Sequence, residues 1–310
     1  MNYAADHQSN TSQEDSVGRL MKAIVVATDF SERSDRAIRR AKLLAREHDA
    51  TLHLVHVVDN DQTQSLVLAE RNASTELLEK LTLSLQEIDS VKCDFHVVLG
   101  KPFFGINQAA RDLQADLVVI GPHRRQLLRD ILVGTTAERT IRTADRPVLM
   151  ANGFPAGLYS RAIAASDLSI YSETTIRKAK SLGLLDRLNT SLLYVFSDPG
   201  LALMNRASLS DDEKQTYIAE ARNRAEKEVE SFMDRIKLDG ISTILQPSNG
   251  SIAETICKTT QDLSAELIVV GTCSRSAFTR ALIGSVTEGV LRHSDRDVLA
   301  IPPPQNEAVP

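Results

Sequence analysis

Short apolar runs alternate with longer amphipathic stretches along almost the whole chain. The run at residues 21–28 (MKAIVVAT) reads as a strand and stops at Asp29. Beyond it, Ala37, Ile38, Ala41, Leu44 and Ala45 recur at helical spacing, which predicts a helix capped by Ser31 or Ser34. The run at 51–58 (TLHLVHVV) predicts a second strand, and the leucines between about 62 and 88 predict a helix. A strand over 91–99 ends at Gly100, and a helix over 104–113 leads to a strand at 117–120. A glycine-bearing loop, a helix around 137–143 and a strand at 147–151 close this half.

The order then starts again. Strands are predicted at 161–166, 191–196, 241–246, 267–270 and 298–301, with helices at 174–185, about 211–236 and 251–263. Strands that alternate with helices and are apolar along their length predict a parallel sheet covered on both faces. Right-handed crossovers make each half a doubly wound α/β sandwich. The expected fold class is therefore α/β, with two such domains, each holding its own five-stranded parallel sheet.

The two halves also match residue by residue. Residues 121–149 read GPHRRQLLRDILVGTTAERTIRTADRPVL and residues 271–299 read GTCSRSAFTRALIGSVTEGVLRHSDRDVL. Gly121 and Gly271 are 150 positions apart, as are Gly134 and Gly284, Glu138 and Glu288, and Arg142 and Arg292. A repeat of that length is too long for a solenoid unit and long enough to bury its own core. Asp29 and Asp167 are only 138 apart, so the second copy is longer early on, and the extra residues are expected around 197–210. The division that follows is a disordered tail at 1–20, domains at 21–152 and 158–302, a turn-rich linker between them, and a C-terminal tail at 303–310.

Composition narrows the class. The formal net charge of −5 gives no general attraction to nucleic acid or anionic membrane. Tryptophan is absent, and aromatic residues are 4% of the chain, which argues against a base-stacking platform. Cys93, Cys257 and Cys273 have no metal or disulfide spacing and read as reduced thiols. No apolar run approaches the length of a membrane span, and the first twenty residues lack a signal-peptide pattern. A cytoplasmic protein is expected.

Candidate chemistry gathers where ligands bind in such sheets, beyond the carboxyl ends of the strands. Asp29 and Asp167 end the first strand of each half and suit ribose hydroxyls; capping the next helix is the plainer role for both. Gly100 and Gly250 end the third strand region. The loops from Gly121 to Gly134-Thr135 and from Gly271 to Gly284-Ser285 each bring glycines and a hydroxyl to a helix start, where amides and the helix dipole favour phosphate. A simple turn and cap is again the plainer alternative. The first loop carries His123, Arg124, Arg125 and Arg129; the second is rich in hydroxyls. His53 and His56 read as packed or hydrogen-bonded strand residues.

On these residues both halves resemble the universal stress protein domain, over nearly all of 21–302. The family's nucleotide motif is Gly, two residues, Gly, nine residues, Gly, then Ser or Thr. Gly121, Gly134 and Thr135 match it in the first half, and Gly271, Gly284 and Ser285 in the second; Arg124 and Ser274 replace the middle glycine. The resemblance implies an adenine nucleotide alpha hydrolase-like fold with strand order 3-2-1-4-5 and, with the full motif, ATP as ligand. It implies a stress-response regulator or sensor; no constellation of residues supplies a general base, a nucleophile and a metal together, so an enzyme is not expected. The second copy is placed ahead for binding, because serine is the smaller departure from glycine. The expected partners are an adenine nucleotide or another small anion, with no nucleic acid and no membrane. The closing strands, 146–151 and 296–301, read as sheet edges, and the resemblance implies that they pair as an internal pseudo-dimer, with a homodimer left open. Two other readings stand beside this one. The first is slow ATP hydrolysis or autophosphorylation at Ser285 or Thr135. The second is a non-nucleotide ligand or protein-interaction module.

Overall fold

A computed structural model describes residues 21–122, 135–186, 188–197, 211–248, 250–273 and 283–304. The expected tail at 1–20, all but residues 303 and 304 of the expected tail at 303–310, all but residue 197 of the expected extra segment around 197–210 and most of both glycine loops lie outside the described residues. Gly134, Arg124 and Ser274 are among those outside.

In the first half the chain forms β1 (Ala23–Ala27), α1 (Glu32–His48), β2 (Thr51–Val58), α2 (Gln64–Glu87), β3 (Cys93–Leu99), α3 (Pro102–Asp112), β4 (Leu117–Ile120), α4 (Thr136–Thr143) and β5 (Val148–Met150). The second half forms β6 (Arg161–Ser166), α5 (Ile170–Ser181), β7 (Asn189–Phe196), α6 (Asp211–Ile236), β8 (Ile241–Pro247), α7 (Ile252–Asp262), β9 (Leu267–Gly271), α8 (Ser285–His293) and β10 (Asp297–Ile301). The helix expected at 174–185 starts earlier, because Ser169 caps it by accepting from the Ser172 amide at 3.2 Å. Ser31 does occupy the cap position of α1, yet its side chain makes no cap bond and donates instead to Asp29.

Each half has the strand order 3-2-1-4-5, but the two do not form separate sheets. The order β3-β2-β1-β4-β5-β10-β9-β6-β7-β8 runs through one ten-stranded sheet. All neighbours are parallel except β5 and β10, which pair antiparallel through Met150–Val298, Leu149–Leu299 and Val148–Ala300. The closing strands are thus the centre of the sheet, and its edges are β3 and β8. The physical reason is burial. Two short apolar strands with unpaired backbone groups satisfy each other and hide Leu149 and Leu299, both fully buried.

Alternation along the strands sends side chains to two continuous cores. Ile24, Val26, Leu149 and Leu299 face the layer of α1, α2, α5 and α6, whereas Val25, Met150, Val298 and Ala300 face α3, α4, α7 and α8. Beside the joint a polar clasp ties the halves together. Arg40 of α1, 5% exposed, binds Asp297 of β10, 1% exposed, at 2.9 Å and donates to the Gly157 carbonyl at 2.7 Å. Asp297 also accepts from the Tyr159 hydroxyl at 2.7 Å and the Gly153 amide at 2.8 Å. Asn152 donates to the Ser294 and Arg296 carbonyls. The clasp has no twin in the first half, where Pro147 stands at the position matching Asp297. No described helix is long and apolar enough to cross a membrane.

Candidate functional site

The strand order reverses between β1 and β4, and again between β6 and β9. At each reversal the carboxyl ends of the strands open into a cleft. The first has a volume of about 330 Å³ and the second about 300 Å³. Val55, Ile106 and Ile120 give the first an apolar floor, as Leu193, Ile256 and Val270 do for the second.

Asp29 and Asp167 stand on the walls of their clefts. Each is held by the same local device. The Asp29 carboxylate accepts from the Ser31 amide at 3.1 Å, and Asp167 accepts from the Ser169 amide at 3.1 Å. This Asx turn forces the residue between into the left-handed region, Phe30 at φ 58° and Leu168 at φ 62°. Neither is glycine, so both copies hold a bulky side chain in a costly backbone state beside the cleft. Burial would raise the Asp29 pKa, but the Ser31 and Ser34 donors and the Arg33 charge outweigh it and hold the carboxyl below its usual value. Its outer oxygen lies 3.4 Å from the Arg33 guanidinium. In the second cleft the Ser172 hydroxyl donates to Asp167 at 2.6 Å.

The first glycine of each loop has a packing role. A Cβ on Gly121 would lie 2.7 Å from the Arg33 carbonyl oxygen, and one on Gly271 would lie 2.7 Å from the Thr175 hydroxyl. These glycines let α1 and α5 close on the ends of β4 and β9. Gly100 and Gly250 share another requirement, with φ of 138° and 136°, a state that side chains rarely adopt.

The hydroxyl positions differ between copies. Thr135 is the N-cap of α4, and its side chain accepts from the Glu138 amide at 3.1 Å. In the second copy Gly284 takes the N-cap position without a side-chain bond, and Ser285 begins the helix. Ser285 is exposed, and its hydroxyl has no hydrogen-bond partner among the described residues. The first-turn amides of α8 have no partner within the helix. They face a cleft lined by Gly284, Ser285 and Thr287. Asp29, Gly121 and Thr135 therefore meet at one cleft, and Asp167, Gly271, Gly284 and Ser285 at the other.

Several lining residues carried little sequence signal. His56 shares the first cleft, with Nδ1 2.8 Å from the Thr28 carbonyl and its ring 4.6 Å from that of Phe30. That carbonyl can only accept, so Nδ1 carries the proton. Tyr194 takes the matching place in the second cleft and donates to Glu228 at 2.9 Å. Arg33 also lines the first cleft. Cys273 lines the second, whereas burial pushes the Cys93 and Cys257 thiols up to about 11. Among the described residues no three His, Cys, Asp or Glu side chains gather to hold a metal ion.

A doubled α/β unit with a cleft at each reversal of strand order is the class of protein these features define. The model of the universal stress protein family matches residues 21–152 and 158–302. The chain belongs to the universal stress protein family, with two of its domains in tandem. It is 33% identical over 142 residues to universal stress protein G of Shigella flexneri, an alignment covering 42% of this chain and 99% of that protein. It is 30% identical over 136 residues to universal stress protein A homolog 2 of Coxiella burnetii, covering 41% and 92%. Each of these relatives corresponds to less than half of the chain. A universal stress protein of Archaeoglobus fulgidus, known from a crystal structure, matches 90% of this chain and 98% of its own at 17% identity with a TM-score of 0.64, which extends the shared fold across both halves.

Proposed function

We propose that the protein is a cytoplasmic stress-response regulator that binds an adenine nucleotide, foremost in the second cleft. The observation that carries this reading is the start of α8. There, an exposed Ser285 hydroxyl with no partner among the described residues and first-turn amides that the helix itself does not satisfy share one cleft with Asp167. That combination offers donors to a phosphate, acceptors to ribose hydroxyls and an apolar floor to a base. The first cleft is built on the same plan, but its hydroxyl is spent on the Thr135 cap and its acid faces Arg33. In this reading the clefts bind their ligand and do not turn it over, and the occupied state is what a partner senses.

The test is thermal stabilisation of the purified full chain by ATP, together with native mass spectrometry of protein taken directly from cells. A retained adenine nucleotide and a rise in melting temperature are expected. Asp167→Ala and Gly284→Val should each abolish the stabilisation that comes from the second cleft. A chain that retains no nucleotide and gains no stability from ATP overturns the reading.

A further inference from the structure

Among the described residues that line them, the two clefts differ in one side chain of fixed charge. Among the described residues lining the second, Asp167 is the only ionisable acid or base of fixed charge. The first adds Arg33, the second residue of α1. The matching position in the second half is Tyr171, which does not line that cleft.

Arg33 is fixed at its root and open at its tip. Gly121 packs against its backbone carbonyl so closely that a Cβ there would sit at 2.7 Å. The side chain is 37% exposed, and its one described partner is Asp29 at 3.4 Å. A charge-assisted bond at full strength is shorter than that, and an exposed pair of this kind is weak. The planar guanidinium fork therefore keeps donors for two oxygens of a doubly charged oxyanion such as a phosphomonoester. Asp29, meanwhile, is occupied on one oxygen by the Ser31 amide and hydroxyl and is faced on the other by Arg33. It is less free to take a ribose diol than an acid without such a cation beside it. In dinucleotide-binding doubly wound folds an acid about twenty residues beyond the glycine loop reads ribose hydroxyls, and an arginine nearby accommodates a phosphate on the ribose; Asp29 and Arg33 bring the same two side-chain types together just beyond β1.

The geometry points to a division of ligands: the first cleft takes an adenine nucleotide that carries a phosphomonoester on its ribose, with Arg33 as the residue that selects it. This inference rests on the nucleotide reading above. No covalent step is involved.

The experiment is calorimetric titration of the full chain with AMP, adenosine 2′,5′-bisphosphate and adenosine 3′,5′-bisphosphate. One bisphosphate is expected to bind at least tenfold more tightly than AMP; which one it is identifies the phosphorylated position. Arg33→Ala should reduce that advantage to less than threefold while leaving AMP affinity within threefold, and Arg33→Lys should restore part of it. Asp167→Ala should leave the advantage intact. Because Arg33 is exposed, these variants are expected to fold, and circular dichroism checks that they do. Equal affinity for all three ligands, or an advantage that survives Arg33→Ala, overturns the inference while leaving the nucleotide reading standing. Failure of all three ligands to bind to a chain that binds ATP overturns the inference alone; failure of ATP as well overturns both.

Discussion

Removing the carboxylate of Asp297 tests the joint between the halves. In Asp297→Ala the Arg40 guanidinium stays buried without its ion-pair partner, and breaking a buried pair in this way costs roughly 3–5 kcal/mol. The Tyr159 hydroxyl and the Gly153 amide lose the same acceptor. A buried donor left unmade costs roughly 1–3 kcal/mol. All three donors share one carboxylate, so these costs do not add in full, and a loss of about 4 kcal/mol is expected. With a urea slope of roughly 2 kcal/mol per molar, the unfolding midpoint followed by far-ultraviolet circular dichroism should fall by about 2 M. The double variant Arg40→Met, Asp297→Leu removes both charges and should recover most of that loss. A loss in Asp297→Ala below about 1 kcal/mol, the level of an exposed ion pair, would refute the claim that this clasp is a buried, satisfied network.

Three further outcomes are expected. Gly121→Ala puts a methyl against the Arg33 backbone carbonyl and should cost about 1–3 kcal/mol in the same unfolding assay. Thr135→Ala should cost about 1 kcal/mol through loss of the α4 cap, whereas Ser285→Ala, with no side-chain bond among the described residues, should stay within about 0.5 kcal/mol. Burial, reinforced by the Asp297 charge, holds the Tyr159 phenol well above its ordinary value. A folded-state value above the unfolded one gives stability that is fully present below about pH 10 and is lost as pH rises beyond it. Unfolding midpoints measured from pH 8 upward should therefore fall more steeply in the parent than in Tyr159→Phe; equal slopes would contradict this.

The chain made its strands and helices legible because the β-branched runs and the helical spacing of residues such as Ala37, Ala41 and Leu44 express local geometry. The doubled acids were legible for the same reason, since Asp29 and Asp167 sit at the same point of two matching segments. What local pattern does not carry is how elements meet. Strands β5 and β10 read correctly as pairing strands, but as edges of two sheets; only their mutual burial makes them the centre of one. Arg40 and Asp297 are 257 positions apart, and a charged helix residue reads as solvated until its partner is known. Thr135 and Ser285 look equivalent in sequence, yet a one-residue shift in helix start makes one a cap and leaves the other with an unspent hydroxyl. Arg33 and His56 reach the first cleft through the fold of α1 and β2, and no spacing rule marks them.

The central claim, that these clefts hold an adenine nucleotide, is tested most directly by calorimetric titration of ATP into the ligand-free full chain and into Asp167→Ala. Saturable binding to the parent is expected, with the tighter site lost in the variant. No saturable heat in the parent, or the same isotherm in both proteins, would contradict it.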